Sequence, residues 1–394
     1  MKVSRPQVLF IVLLLVLAFY AALHLPTHRT APPPVSTPWP ESTITPCEYP
    51  DPKELITIKD RASAALVRDS VIGYIWPETG MPLEGALPTI LSVDIPPNVP
   101  NDLSSINHTS VSQIMTIESR MQYDYRHLSY IALPKTPDSK GFIILHQGHQ
   151  GGLGDGLAEL ANRLLTEGYT VALMQMPLVG WNSANQPNLP GFKNTFATGS
   201  RGHDQLYAAS ANVPVSPMQF FLEPIITIVN LIRHFSEGDT LIGMAGLSGG
   251  GWATHLASAI DPRITLSFPV AGSYPLYLRP HYPGSEGDAE QVDPGLYKER
   301  ASWLDLYILG AYGPNRAQYQ ILNKFDPCCF YGDGGKHYSP AVSNAITKLG
   351  SGHWELVLDE THRTHSISPW AADLILEAIG RNAAPEAHSH YLTE

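Results

Sequence analysis

The chain has 394 residues, 43% of them hydrophobic and 15% charged, which excludes a disordered polypeptide and leaves material for one large core. Its 25 Lys and Arg stand against 36 Asp and Glu, a formal charge of -11 that repels phosphate backbones, so nucleic acid is not an expected partner. Three cysteines, Cys47, Cys328 and Cys329, are too few for a disulfide framework, and the C-x-x-C pairs of a zinc ribbon are absent.

Lys2 and Arg5 precede an apolar run from Val8 to Leu25, interrupted only by Tyr20 and His24. That is close to the ~18–20 residues of a bilayer-spanning helix. The small residues Ala18, Ala21 and Ala22 are interleaved with Phe19 and Tyr20, which specifies cleavage poorly. Residues 1–25 therefore read as an export signal expected to stay as a single-pass membrane anchor, with a cleaved signal peptide and secretion as the alternative. Basic residues held inside put the body of the chain on the lumenal or extracellular side, where the sequon Asn107-His108-Thr109 is open to glycosylation. Residues 26–52, with Pro32-Pro33-Pro34, read as a Pro-rich linker, and residues 53–394 as one domain.

Within that domain strand and helix alternate. Tyr123 to Pro134 reads as an edge strand, and Gly141 to Leu145 as a short strand buried on both faces. Leu157, Leu160, Ala161, Leu164 and Leu165 fall on one helical face that Gly168 ends. Thr170 to Met174 is the next strand. A helix built on Ile225, Val229 and Ile232 leads to the strand Thr240 to Ala245, and further strands follow at Ile264 to Val270, Tyr319 to Leu322 and Trp354 to Leu358. The last helix carries Ala371, Leu374, Ile375, Ala378 and Ile379 on one face, with Ser368 as N-cap and Pro369 at its first position. The alternation predicts an α/β fold with a mostly parallel sheet covered on both sides.

The run Ala245-Gly246-Leu247-Ser248-Gly249-Gly250-Gly251-Trp252 stands between an apolar strand and a helical stretch. A serine at such a turn needs unusual backbone angles and small neighbours, which Gly246 and Gly250 supply, and it projects its hydroxyl at the carboxyl end of the sheet. The Gly249 amide, opening the helix, is then aimed at charge developing on a bound carbonyl. A serine hydroxyl is a weak nucleophile, so a base must take its proton and an acid must orient that base.

With this elbow in place, the stretch from about Tyr123 to Ile379 resembles the α/β-hydrolase superfamily. The resemblance implies an acid after a later strand and a histidine just before the last helix. Asp326, in the loop after Tyr319 to Leu322, stands where the family keeps its acid, with Asp333 and Asp359 as alternatives. His365, four positions before Pro369, is the expected base, and His362 the alternative. The loop His146-Gln147-Gly148-His149-Gln150-Gly151-Gly152 resembles the family's oxyanion loop and is expected to supply a second amide near Gly148, with Gln147 and His149 also open.

The pair His146 and His149, with only Asp155 nearby, lacks the ligand count of a metal site, and neither metal nor organic cofactor is expected. Cys328 and Cys329 read as buried thiols under the acid loop. Insertions at about 181–217 and 274–314 are expected to form a partial cap, and Tyr274, Tyr277, Tyr282, Tyr297, Trp303, Tyr307 and Tyr312 either line an acyl or alcohol pocket or pack on the core. The expected function is a serine hydrolase that cleaves an ester, or an amide or thioester, of a small or acylated substrate through an acyl-enzyme. An inactive binding module of the same fold and an acyltransferase using the same three residues are the competing readings.

Overall fold

The apolar runs of the sequence become the inner strands of a nine-stranded sheet. The computed structural model describes residues 49–383, except 137, 212, 237–239 and 283. Its strands are β1 (Thr89–Asp94), β2 (Val111–Arg120), β3 (Arg126–Pro134), β4 (Phe142–Gln147), β5 (Thr170–Gln175), β6 (Ile242–Leu247), β7 (Leu266–Val270), β8 (Ala317–Asn323) and β9 (His353–Asp359). The principal helices are α1 (Arg61–Ile75), α2 (Leu157–Glu167), α3 (Ser200–Ser210), α4 (Met218–Phe235), α5 (Gly249–Ile260), α6 (Ala289–Val292), α7 (Pro294–Tyr297), α8 (Trp303–Ala311), α9 (Gly335–Leu349) and α10 (Pro369–Ala383). The strand order is β1-β2-β3-β5-β4-β6-β7-β8-β9. β1, β2, β3 and β5 pair antiparallel, and from β5 to β9 the sheet is parallel.

Every residue of β5, β6, β7 and β8 is buried, as expected where helices cover both faces. On one face Leu157, Leu160 and Leu164 of α2 pack with Ala371, Ile375 and Ile379 of α10. On the other, α1, α4, α5, α8 and α9 bury Val71, Phe220, Trp252, Trp303 and Tyr338 among others. Gly168 ends α2 in the left-handed region, with φ 93°, and Ser368 Oγ accepts from Ala371 N at 3.0 Å to cap α10, so both boundary signals of the sequence act as expected.

Two expectations change, and three elements appear that the sequence did not announce. The strand expected at Tyr123 begins at Arg126 and is not an edge, because β2 and β5 flank it. The edges are β1 and β9. The two first strands are not legible in the sequence: β1 is exposed almost throughout, and β2 scatters polar residues such as Gln113, Thr116 and Glu118 among its apolar positions. Helix α9 escapes the sequence pattern because Pro340 lies inside it. The expectation of a single-pass membrane protein is corrected: among the described residues no helix is long and apolar enough to cross a membrane, and residues 1–25, on which the anchor rested, lie outside them, as do the linker residues 26–48.

Candidate functional site

Ser248 sits between the last residue of β6 and the first of α5 with φ 58° and ψ -124°, a region non-glycine residues rarely enter. The turn is held open for it by its neighbours. A Cβ on Gly246 would strike the carbonyl oxygen of Gly250, and one on Gly250 would strike that of His146. Ser248 N donates to Val270 O at 2.9 Å, and Trp252 N to Ser248 O at 3.0 Å, which fixes the turn to β7 and to the helix. The Ser248 hydroxyl does not cap α5, so it is left to the cleft it lines.

That cleft has a volume of about 360 Å³ and also takes in Gly148, His149, Asp288, Cys328, Cys329 and His365. His365 Nδ1 lies 2.7 Å from Asp326 Oδ2, and both side chains are shielded from solvent, the carboxylate completely. The other oxygen of Asp326 accepts from Cys328 N at 2.8 Å and Cys329 N at 3.2 Å. This engagement keeps Nδ1 as the protonated nitrogen and leaves Nε2 with a lone pair. Nε2 makes no hydrogen bond, so it and the Ser248 hydroxyl are not yet joined. Such contacts commonly tighten only when substrate is bound.

The competing residues are placed elsewhere. His362 Nε2 is 3.3 Å from Asp359 Oδ2, and its Nδ1 is 2.8 Å from Thr364 Oγ1. Burial pushes the Asp359 carboxyl up, but His362, Ser368 and Thr361 together more than offset it and hold it below its ordinary range. This second acid–imidazole pair braces the loop between β9 and α10 and does not line the cleft. Asp333 is exposed, 3.4 Å from Lys336 Nζ, in a surface turn.

Gly148 differs from expectation. Its amide donates to Gln147 Oε1 at 3.0 Å and is therefore spent within its own loop. A Cβ on Gly148 would come within 2.8 Å of both Gly249 N and Ser248 Cβ, so what the glycine supplies is access to the Gly249 amide. The His149 amide, next in the loop, has no partner among the backbone hydrogen bonds of the described residues.

His146 and His149 do not converge. His146 is buried, hydrogen-bonded through Nδ1 to Gln147 O at 2.9 Å and pushed down to about 3 by burial, whereas the His149 ring turns to the insertions. Of the seven aromatics in the second insertion, none lines the cleft, and Tyr274, Tyr282, Tyr297, Trp303 and Tyr307 are buried in the core. Cys328 and Cys329 are joined to each other as a vicinal disulfide at the cleft wall, where the sequence predicts buried free thiols.

Asn323 was not singled out from the sequence. Its Nδ2 donates to Ser366 O at 2.9 Å and lies 3.4 Å from Asp326 Oδ2, tying the histidine loop to the acid loop. Its position as the last residue of β8, three before the acid, was the available signal.

No protein-family model matches the chain, and no curated protein matches it. Solved structures do. A methylesterase superposes with a TM-score of 0.53 at 15% identity over 83% of this chain, which spans 65% of that one. Acetyl xylan esterase 1 from Thermoanaerobacterium sp. gives a TM-score of 0.51 at 12% identity, covering 84% of this chain and 98% of the other. A candidate acetyl xylan esterase from Bacteroides fragilis gives 0.52 at 13%, covering 78% and 76%. At these identities the likeness is one of fold: the chain has the α/β-hydrolase fold.

Proposed function

We propose that the chain is a serine hydrolase that cleaves esters of a small acyl group with a polar alcohol. The observation that carries this reading is that Ser248, at a strained strand-to-helix turn, shares one cleft with an imidazole whose other nitrogen is held by a buried carboxylate. Ser248 Oγ attacks the carbonyl carbon as His365 Nε2 takes its proton, and the same imidazolium then protonates the leaving alcohol. Asp326 keeps His365 in the required tautomer and stabilises the imidazolium. The amides of Gly249 and His149 receive the oxyanion, and water entering against His365 releases the acid.

The substrate class rests on the cleft. Its walls carry Gln147, Gln150, Asp155, Glu286 and Gln291 beside Leu247 and Phe330, and the aromatics of the second insertion do not line it. Neighbouring folds described as acetyl xylan esterases are consistent with small acyl groups on hydrophilic alcohols. The test uses a fluorophosphonate probe and nitrophenyl esters of graded chain length. Labelling and turnover of the acetyl ester are expected for the unaltered protein and are lost in Ser248→Ala. A protein that neither labels nor turns over any ester would instead be a binding module, and one that prefers long acyl chains would refute the substrate class.

A further inference from the structure

The two insertions and the oxyanion loop meet in one buried cluster. His149 Nε2 is 3.1 Å from His203 Nδ1 of α3 and 3.1 Å from Glu290 Oε1 of α6. His203 Nδ1 is 3.4 Å from Glu290 Oε2, and Asp288 Oδ2 is 3.4 Å from His149 Nε2. The side chains of His203 and Glu290 are wholly buried.

Neutral imidazoles leave this arrangement short of protons. His203 Nε2 donates to Pro177 O at 2.8 Å, so the Nδ1 turned to the cluster carries a lone pair when the ring is neutral. His149 Nε2 has at most one proton to offer, and it faces His203 Nδ1, Glu290 Oε1 and Asp288 Oδ2 at once. Neither oxygen of Glu290 receives a hydrogen bond. A buried carboxylate without donors is costly, whereas one cation at the centre would satisfy every lone pair together. The spacing fits that cation. Tetrahedral ligands about 2.0–2.1 Å from zinc lie roughly 3.3 Å from one another, and the separations between the two imidazole nitrogens, and from each to its nearer Glu290 oxygen, run from 3.1 to 3.4 Å. The Nε2 bond of His203 to a backbone carbonyl is the outer contact that orients a ligating imidazole.

We propose that His149 Nε2, His203 Nδ1 and the Glu290 carboxylate bind a zinc-class divalent cation. This departs from the metal-free protein expected from the sequence, and it stands whether or not Ser248 is a nucleophile. With three protein ligands, the ion keeps one position for water. It staples both insertions to the loop that carries the His149 amide, at sites too far apart in the chain to be read as a motif.

The full chain, stripped with a chelator and shown by circular dichroism to remain folded, is dialysed against micromolar Zn²⁺ or Co²⁺. One equivalent of zinc is expected by mass spectrometry, and one equivalent of cobalt with the intense visible bands of a tetrahedral site. His203→Gln and Glu290→Gln are each expected to weaken binding by at least about a hundredfold, more than the loss of an outer-sphere contact. Folded wild-type protein that retains no stoichiometric metal would overturn the proposal and leave a bare imidazolium–carboxylate cluster. Retention of metal by His203→Gln with unchanged affinity would overturn the ligand set without relying on the stability of the Glu290 variant.

Discussion

Asp326 and His365, 39 residues apart in the chain, meet at 2.7 Å because β8 and β9 are adjacent parallel strands whose loops leave the sheet at the same end. A second pair, Asp359 and His362, lies one loop away with a separation of 3.3 Å but without access to the cleft. The two pairs make a direct comparison. Asp326→Asn leaves a side chain of the same shape but favours the wrong imidazole tautomer, and kcat for ester hydrolysis is expected to fall by roughly 10³–10⁴. His362→Asn is expected to lower kcat less than about tenfold, through the loop it braces. Steady-state kinetics of the two variants check this, and comparable losses in both would remove the distinction drawn between the pairs.

The elbow and the last helix were legible because each is announced locally. Ser248 lies among glycines that only a tight strand-to-helix turn demands, and Ser368-Pro369 marks the start of α10. The parallel strands β4, β5 and β6 were legible as short apolar runs. What was not legible depends on contacts between distant segments. The resemblance put His365 ahead of His362, but which ring each buried carboxylate reaches is a contact between distant segments, and the spent amide of Gly148 depends on a rotamer of Gln147. The cluster of His149, His203 and Glu290 draws on three segments whose residues carry no signal in isolation.

The vicinal disulfide has a place in the acid's geometry. Asp326 Oδ1 accepts from the amides of Cys328 and Cys329, and the bridge between those two side chains restrains the peptide that joins them. Breaking it, in the Cys328→Ser/Cys329→Ser double variant or with a phosphine reductant, frees that peptide and weakens one charge-assisted bond to the carboxylate. A loss of about 1.4 kcal/mol in the transition state corresponds to a tenfold fall in kcat. Because both residues also line the cleft, KM is expected to change with it. Unchanged kcat in the folded double variant would show that the bridge does not hold the acid.

Three buried histidines, His127, His255 and the His146 described above, make stability fall at low pH. His127, on β3, donates from Nε2 to Gln175 O at 2.7 Å, and burial lowers it to about 4. His255, on α5, stacks on Trp303 with ring centres 5.0 Å apart, makes no hydrogen bond, and is lowered to about 3 by burial and by the Arg279 guanidinium. In the unfolded chain all three titrate near about 6.5. Above that pH neither state binds the proton and the three residues do not couple stability to pH. Below it the unfolded state takes up protons the folded state refuses, so stability falls as pH drops from about 6.5 toward about 4. Each histidine contributes a loss of roughly 2 kcal/mol between pH 7 and pH 5. His255→Phe keeps a ring against Trp303 and removes one of the three titrating groups. Urea unfolding of wild type and variant at pH 7 and pH 5 is expected to show the wild type losing about 2 kcal/mol more than the variant on acidification. Equal losses in the two proteins would mean that His255 is already protonated in the fold or is reached by water.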